Sequence, residues 1–266
     1  MDNLILAFAL TMIAGLSTGI GSFIAFFAKK TNTKFLSVSL GFSAGVMIYV
    51  SMIEIFSEAN KLLSISYDDK KGTAITIAAF FGGMLLIALI DKVIPEEKNP
   101  HNVMQVGEID NIQPAKTRLM RTGILTALAI AIHNFPEGLA TFVSALREPS
   151  VAIPIVIAIA IHNIPEGIAV SAPIYYATGS RKKAFKYSFL SGLSEPLGAL
   201  VGYLILMPIM SDTVTGILLS GVAGIMVFIS LDELLPSARE YGEHHLAIYG
   251  LVSGMAVMAI SLLLFM

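Results

Sequence analysis

The sequence predicts an all-α integral membrane protein with eight transmembrane helices. Hydrophobic residues make up 55% of the 266 residues and charged residues only 14%, which is far more apolar than a soluble domain of this length. Apolar runs long enough to cross about 30 Å of hydrocarbon recur along nearly the whole chain. They lie at about residues 4–28, 35–56, 73–94, 119–144, 151–177, 185–210, 214–235 and 246–266. We therefore expect one polytopic domain, residues 1–266, that functions inside the membrane.

The first run lacks a basic leader and a cleavage site, so it is expected to be a retained helix rather than a signal peptide. Lysine and arginine predict the orientation of the helices, because cytoplasmic loops carry the excess of both. Of the 17 Lys and Arg residues, 13 fall in the odd-numbered loops, which include the long loop at about residues 95–117. This places those loops in the cytoplasm and both termini outside it, in a multi-pass protein of the cell (inner) membrane.

A six-residue pattern, His-Asn-x-Pro-Glu-Gly, occurs at residues 133–138 and again at residues 162–167. A helix places residues i and i+4 on one face, so each histidine lies beside its glutamate. Imidazole nitrogen and carboxylate oxygen are the ligands that zinc and similar cations prefer. Since ionisable groups at membrane depth usually mark functional sites, the pattern predicts a metal role. The alternative is that each His and Glu only pair with one another across packed helices, which the second copy makes weak.

A third acidic residue, Glu195, lies in the sixth run and is followed by proline. Three carboxylates in low dielectric cannot all stay ionised unless cations share the site. Their charge suits two divalent ions bridged by glutamates, and it also suits one ion whose shell is completed by water. The predicted metal-binding residues are His133, Asn134, Glu137, His162, Asn163, Glu166 and Glu195.

Internal repetition has two layers. Residues 128–140 and 157–169 are identical at all but three positions, on consecutive and therefore antiparallel runs. A fainter pattern relates the second run to the seventh at a spacing of 179 residues and the first to the sixth at 177. Runs 1–3 and 6–8 are therefore predicted to be inverted repeats around the four-five pair, an architecture with a midplane site and alternating access. Small residues alone recur wherever membrane helices pack, but the match of Glu54 to Glu233 argues against packing as the only cause.

On these residues the chain resembles the ZIP family of divalent-metal transporters, most closely its bacterial zinc-uptake members. The resemblance covers essentially every residue. Its specific parts are the two motifs, the Gly-Leu-Ser-Glu segment of residues 192–195, Ser51-x-x-Glu54, and the Ser-Leu-Asp-Glu segment of residues 230–233. The resemblance implies eight helices in a 3+2+3 arrangement, both termini outside, and movement of divalent metal into the cytoplasm.

The resemblance also implies two neighbouring metal positions. The residues of the first would be His133, Glu137, His162 and Glu166. The second would share both glutamates and add Asn134, Asn163 and Glu195. Some family members carry an aspartate at the position of Asn163, so the second position is expected to be weaker or differently occupied in this chain.

Four acidic residues outside the motifs are predicted to relay metal along the path. They are Glu54, Glu58, Asp232 and Glu233. In the predicted orientation the first two serve the outer end and the last two the cytoplasmic end. Their alternative role is capping or pairing near a membrane interface.

The sequence thus predicts an importer of divalent transition metals, chiefly zinc, with broad selectivity that extends to iron, manganese, cobalt and cadmium. The metal is cargo, so no enzyme activity and no resident cofactor are expected. The expected partners are metal ions and the lipid bilayer, with a homodimer left open and no nucleic acid. One rival is an intramembrane metal hydrolase, whose usual His-Glu-x-x-His signature is missing. Another is a metal-gated channel or a membrane protein braced by structural metal, which the sequence does not separate from a carrier.

Overall fold

The computed structural model describes residues 2–27, 33–93, 115–147, 149–241 and 244–264. These ranges are helical apart from short turns and contain no strand, so the predicted all-α class is confirmed. Helices suit such a chain because lipid offers no partner to backbone N–H and C=O groups. The α-helices are α1 (Asp2–Phe27), α2 (Thr33–Tyr49), α3 (Phe56–Ser66), α4 (Asp69–Val93), α5 (Ala115–Arg147), α6 (Pro149–Thr178), α7 (Arg181–Gly192), α8 (Ser194–Val201), α9 (Asp212–Ile229), α10 (Leu235–Tyr241) and α11 (His244–Leu264).

Seven helical stretches within the described ranges are long and apolar enough to cross a membrane. They are Asn3–Phe23, Ser37–Ser66, Asp69–Ile90, Ala152–Thr178, Arg181–Ile205, Asp212–Arg239 and His245–Leu264. Each coincides with a predicted apolar run. The predicted fourth run falls in α5, whose 33 residues extend about 50 Å at 1.5 Å per residue. The count of eight membrane spans stays a prediction.

Most of the loop predicted at residues 95–117 lies outside the described residues, which resume at residue 115. Residues 115–117 already belong to α5, so the predicted loop extends into the start of this helix.

Two helices pass through π-helical segments at related positions. Val50–Ile55 joins α2 to α3, and Ser230–Leu234 joins α9 to α10. A π-helical segment inserts an extra residue into the helical turn and is frequent at functional sites. Glu54 lies in the first segment and Glu233 in the second. The two acidic residues that the 179-residue spacing relates therefore share the same helical irregularity. A third π-helical segment, Gly202–Leu206, follows α8 and leads into the 3-10 turn Met207–Ile209.

The helices pack as two groups. The motif group consists of α1, α5, α6, α7 and α8, and the flanking group consists of α2, α3, α4, α9, α10 and α11. The main contacts between the groups join α2 to α6 and α5 to α9. Both motif helices therefore lie in the motif group, and each has one face against the flanking group.

Glycines allow the helices of the motif group to touch through their backbones. A Cβ added to Gly138 of α5 would lie 2.5 Å from the Cα of Glu195 on α8. A Cβ added to Gly167 of α6 would meet the backbone carbonyl of Thr18 on α1 even more closely. Small residues at such crossings are typical of membrane helices. These contacts hold α8 against α5 and α1 against α6.

Candidate metal centre

Both motifs lie inside continuous helices. α5 runs through Pro136, and α6 runs through Pro154, Pro165 and Pro173 without a break. Prolines are tolerated in membrane helices because neighbouring helices, hydroxyl side chains and local adjustments satisfy the freed backbone groups. The motif residues therefore keep helical spacing.

His162 lies between the two motif glutamates. Its Nε2 atom is 3.2 Å from Oε1 of Glu137 on α5 and 4.0 Å from Oε1 of Glu166 on α6. None of the three side chains is more than 1% exposed. The structure thus brings one imidazole and two carboxylates together from two helices, out of contact with solvent.

The backbone of His133 belongs to α5, but its side chain lies outside the part of the chain that the structure describes. Its predicted role as a ligand therefore stays a prediction.

Asn163 connects the motif on α6 to two further helices. Its Nδ2 donates hydrogen bonds to Oε1 of Glu195 on α8 and, at 3.0 Å, to the backbone carbonyl oxygen of Ala14 on α1. Asn163 and Glu195 are fully buried. The charge on Glu195 interacts with the charges on Glu137 and Glu166. The structure therefore brings the carboxylate of the sixth apolar run next to the motif residues.

Several buried oxygens of the candidate ligands have no hydrogen-bond partner among the described residues. They are Oε2 of Glu137, Oε2 of Glu195, and the amide oxygens of Asn134 and Asn163. Proteins seldom leave such atoms without a partner, and each unpaired group costs about 1–3 kcal/mol. Carboxylate and amide oxygens are also metal ligands. A bound cation would supply the partner that these atoms lack.

Among the described residues, no three His, Asp or Glu side chains are arranged so that they could already hold a metal ion. His162 with Glu137 and Glu166 is the set that comes together across α5 and α6. Metal binding at this point requires these side chains to turn toward the ion.

Ser43 on α2 is a member of this cluster that the sequence analysis did not identify. Its hydroxyl donates a hydrogen bond of 2.6 Å to Oε1 of Glu166. Ser43 is fully buried, so no solvent competes for this bond. The available signal was a serine next to Ala44, where the repeated pattern of the second and seventh runs begins.

Glu137 lines a cavity of about 240 Å³ between α5, α6 and α9. Thr141 and Ser144 follow it along the same cavity, one and two turns further on α5. The rest of the wall is apolar and comes from Val50, Ile55, Ala140, Ile155, Ile159 and Met226. The cavity therefore adjoins the α5 side of the cluster.

The four residues predicted to relay metal lie on the π-helical segments and beside them. Glu54 and Glu58 are half-buried, in Val50–Ile55 and in the first turn of α3. Asp232 is exposed, whereas the neighbouring Glu233 is 7% exposed. Their role in a path stays a prediction.

Comparison with known proteins matches this chain to one family. The family model described as ZIP zinc transporter matches residues 92–262. The chain is 68% identical to the zinc transporter ZupT of Streptococcus mutans over 264 residues, which is 99% of each chain. It is 67% identical to the ZupT of Clostridium perfringens, over 100% of this chain and 98% of that protein. It is 64% identical to the ZupT of Lysinibacillus sphaericus, over 98% of each chain.

These matches cover more than half of the chain in the family model and nearly all of it in the relatives. Together with the long apolar helices, they make the chain a multi-pass membrane protein. It is a transporter rather than an enzyme, and it belongs to the family of ZIP zinc transporters.

Proposed function

We propose that this chain imports zinc into the cytoplasm by binding it near the middle of the membrane, between α5 and α6. The observation that carries the proposal is the buried cluster of His162, Glu137 and Glu166 inside apolar helices. Nitrogen and carboxylate ligands suit zinc. The relatives that are named zinc transporters support the same choice of metal.

The same donors suit other divalent transition metals, so we propose broad selectivity that includes iron(II), manganese, cobalt and cadmium. One ion would be held by His133, Glu137, His162 and Glu166. A second would share the glutamates and use Asn134, Asn163 and Glu195. The amide and carboxylate oxygens without hydrogen-bond partners among the described residues support this second position.

We propose that the two halves of the chain are inverted repeats. Gly21 of α1 lies against the carbonyl oxygen of Ile164 on α6, and Gly198 of α8 lies against that of Phe135 on α5. The first relation becomes the second when α1 is shifted by 177 residues and the motif by 29. At the level of helices, α2 packs on α11 as α9 packs on α4. Paired contacts of this kind support a pseudo-two-fold axis through the motif group.

Alternating access would follow from movement of the motif group against the flanking group. Gly138 and Gly167 bring the backbones of α5 and α8, and of α6 and α1, into direct contact. The α5–α6 pair would therefore carry α1, α7 and α8 with it. Carrier transport of this kind releases its ion, whereas a structural site retains it.

The path on either side of the site would use the acidic residues of the π-helical segments. With both termini outside the cytoplasm, Glu54 and Glu58 would serve the outer end, and Asp232 and Glu233 the cytoplasmic end. Carboxylates along such a path give a divalent ion successive partners in a low dielectric.

Uptake of radioactive zinc into proteoliposomes tests the proposal. Zinc should accumulate with the unaltered chain and fail to accumulate with Glu166→Ala and His133→Ala. His245→Ala is a matched control, because His245 is an exposed residue of α11. Addition of manganese or iron(II) should reduce zinc uptake if the selectivity is broad.

Accumulation that persists in Glu166→Ala would contradict the assignment of the site. Zinc that binds to the purified chain but does not accumulate in the vesicles would favour a structural metal.

A further inference from the structure

We propose that Ser43 positions the Glu166 carboxylate for metal binding, so that the ion meets one motif glutamate held by a neighbouring helix and one that is not. This inference deepens the proposed function and rests on it, because it takes the cluster between α5 and α6 to be the zinc site.

The hydrogen bond from Ser43 favours the carboxylate over the other nearby acceptor. The hydroxyl oxygen lies 2.6 Å from Oε1 of Glu166 and 3.4 Å from the backbone carbonyl oxygen of His162. A hydroxyl has one proton to donate, and the shorter contact has the length of a charge-assisted O–H···O⁻ bond. Both side chains are fully buried. The Glu166 carboxylate is thereby held in one orientation by α2.

The repeat lacks this hydroxyl at the related position on the other side of the site. Glu166 and Glu137 are related by the motif spacing of 29 residues, and the residue 179 positions after Ser43 is Val222 on α9. α2 packs on α6, as α9 packs on α5. Val222 is buried and offers no donor. The flanking group therefore presents a hydroxyl to one motif helix and a methyl group at the corresponding position of the other.

The surroundings of Glu137 agree with this difference. Its Oε2 atom has no hydrogen-bond partner among the described residues, and the cavity beside it has a largely apolar wall. Glu137 is consequently the carboxylate that can reorient toward an arriving ion, whereas Glu166 is already in place.

A partner that orients a metal ligand typically contributes 10–100-fold to metal affinity or activity. Ser43→Ala should therefore weaken zinc binding by about 10-fold and raise the KM of uptake by a similar factor. The maximal rate should change little, because the ligands themselves remain. Loss of correctly folded protein would instead lower the maximal rate and leave KM unchanged.

The experiment compares the full-length chain with four variants. Ser43→Ala removes the donor, Ser43→Cys keeps the side-chain size with a weak donor, and Ser43→Thr restores the hydroxyl. Val222→Ala is the matched control, since it truncates the related buried residue without removing a hydrogen bond. The zinc Kd is measured in detergent by competition with a chromogenic chelator, and KM and maximal rate are measured as zinc uptake into proteoliposomes.

We expect Ser43→Ala and Ser43→Cys to weaken binding, Ser43→Thr to restore it, and Val222→Ala to leave Kd unchanged. A Kd for Ser43→Ala and Ser43→Cys that equals the unaltered value would overturn the inference. Equal weakening in Val222→Ala, or failure of a well-folded Ser43→Thr to restore binding, would overturn it as well. Failure of the unaltered chain to bind or carry zinc would reject the proposed function itself, and this result is read from a separate sample.

Discussion

Replacing Gly138 with alanine should destabilise the chain and weaken zinc uptake, although it adds a single methyl group. Gly138 follows Glu137 on α5 and faces α8. An added Cβ would lie 2.5 Å from the Cα and 2.6 Å from the carbonyl carbon of Glu195, and closer still to its carbonyl oxygen. These are backbone atoms of a helix, so they cannot rotate away as a side chain could.

The magnitude follows from the displacement that this clash requires. Ordinary contact begins at 3.4 Å, so α5 and α8 must separate by the difference between 3.4 and 2.5 Å, about 0.9 Å. Overpacking costs about 1–3 kcal/mol, and the change from glycine to alanine in a helix offsets about 1 kcal/mol of this. A net loss of about 1–2 kcal/mol corresponds to a fall in Tm of roughly 2–8 °C. The same movement displaces Glu195, which should weaken uptake by about 10-fold or more.

The assay is thermal unfolding of the purified chain in detergent, followed by zinc uptake into proteoliposomes. Gly82→Ala is the matched control, because an added Cβ on Gly82 of α4 meets nothing within 4 Å. It should melt at or slightly above the temperature of the unaltered chain. A Gly138→Ala variant that melts as high as Gly82→Ala and keeps the KM for zinc would refute the reasoning from close helix approach.

Three further predictions concern the ligands and one surface ion pair. Structural zinc sites bind with about 10–16 kcal/mol, so removal of one of four ligands by Glu137→Ala should raise the zinc Kd by about 10²–10³-fold; an unchanged Kd in chelator competition would contradict its role. Asn163→Ala removes the donor to Glu195, so competition assays should show a changed preference between zinc and manganese while uptake persists. Identical competition curves would count against this role. Arg147→Ala breaks the 2.7 Å pair with Asp212, whose side chains are 34% and 54% exposed; the cost should stay below about 1 kcal/mol, and a larger fall in Tm would show that the pair is more than a surface salt bridge.

Local patterns in the sequence were sufficient for the class of fold and for the residue types of the candidate site. Apolar runs of membrane length predict helices because lipid cannot satisfy an open backbone. The spacing of His162 and Glu166 predicts their shared face because the helical period is local. The π-helical segments around Glu54 and Glu233 were not predictable, since the register of helical hydrogen bonds there depends on how each helix packs.

The sequence by itself determined that this chain is helical, lies in the membrane and carries two related His-Asn-x-Pro-Glu-Gly motifs. Only the tertiary structure decided which neighbours those motifs meet. It brought Glu195 of α8 to Asn163 and Ser43 of α2 to Glu166, pairs that are 32 and 123 residues apart in the chain. The physical reason is that periodicity specifies the direction of a side chain on its own helix, whereas its partners depend on which helices pack together. Glycines such as Gly138 and Gly167 settle that choice by letting two backbones touch.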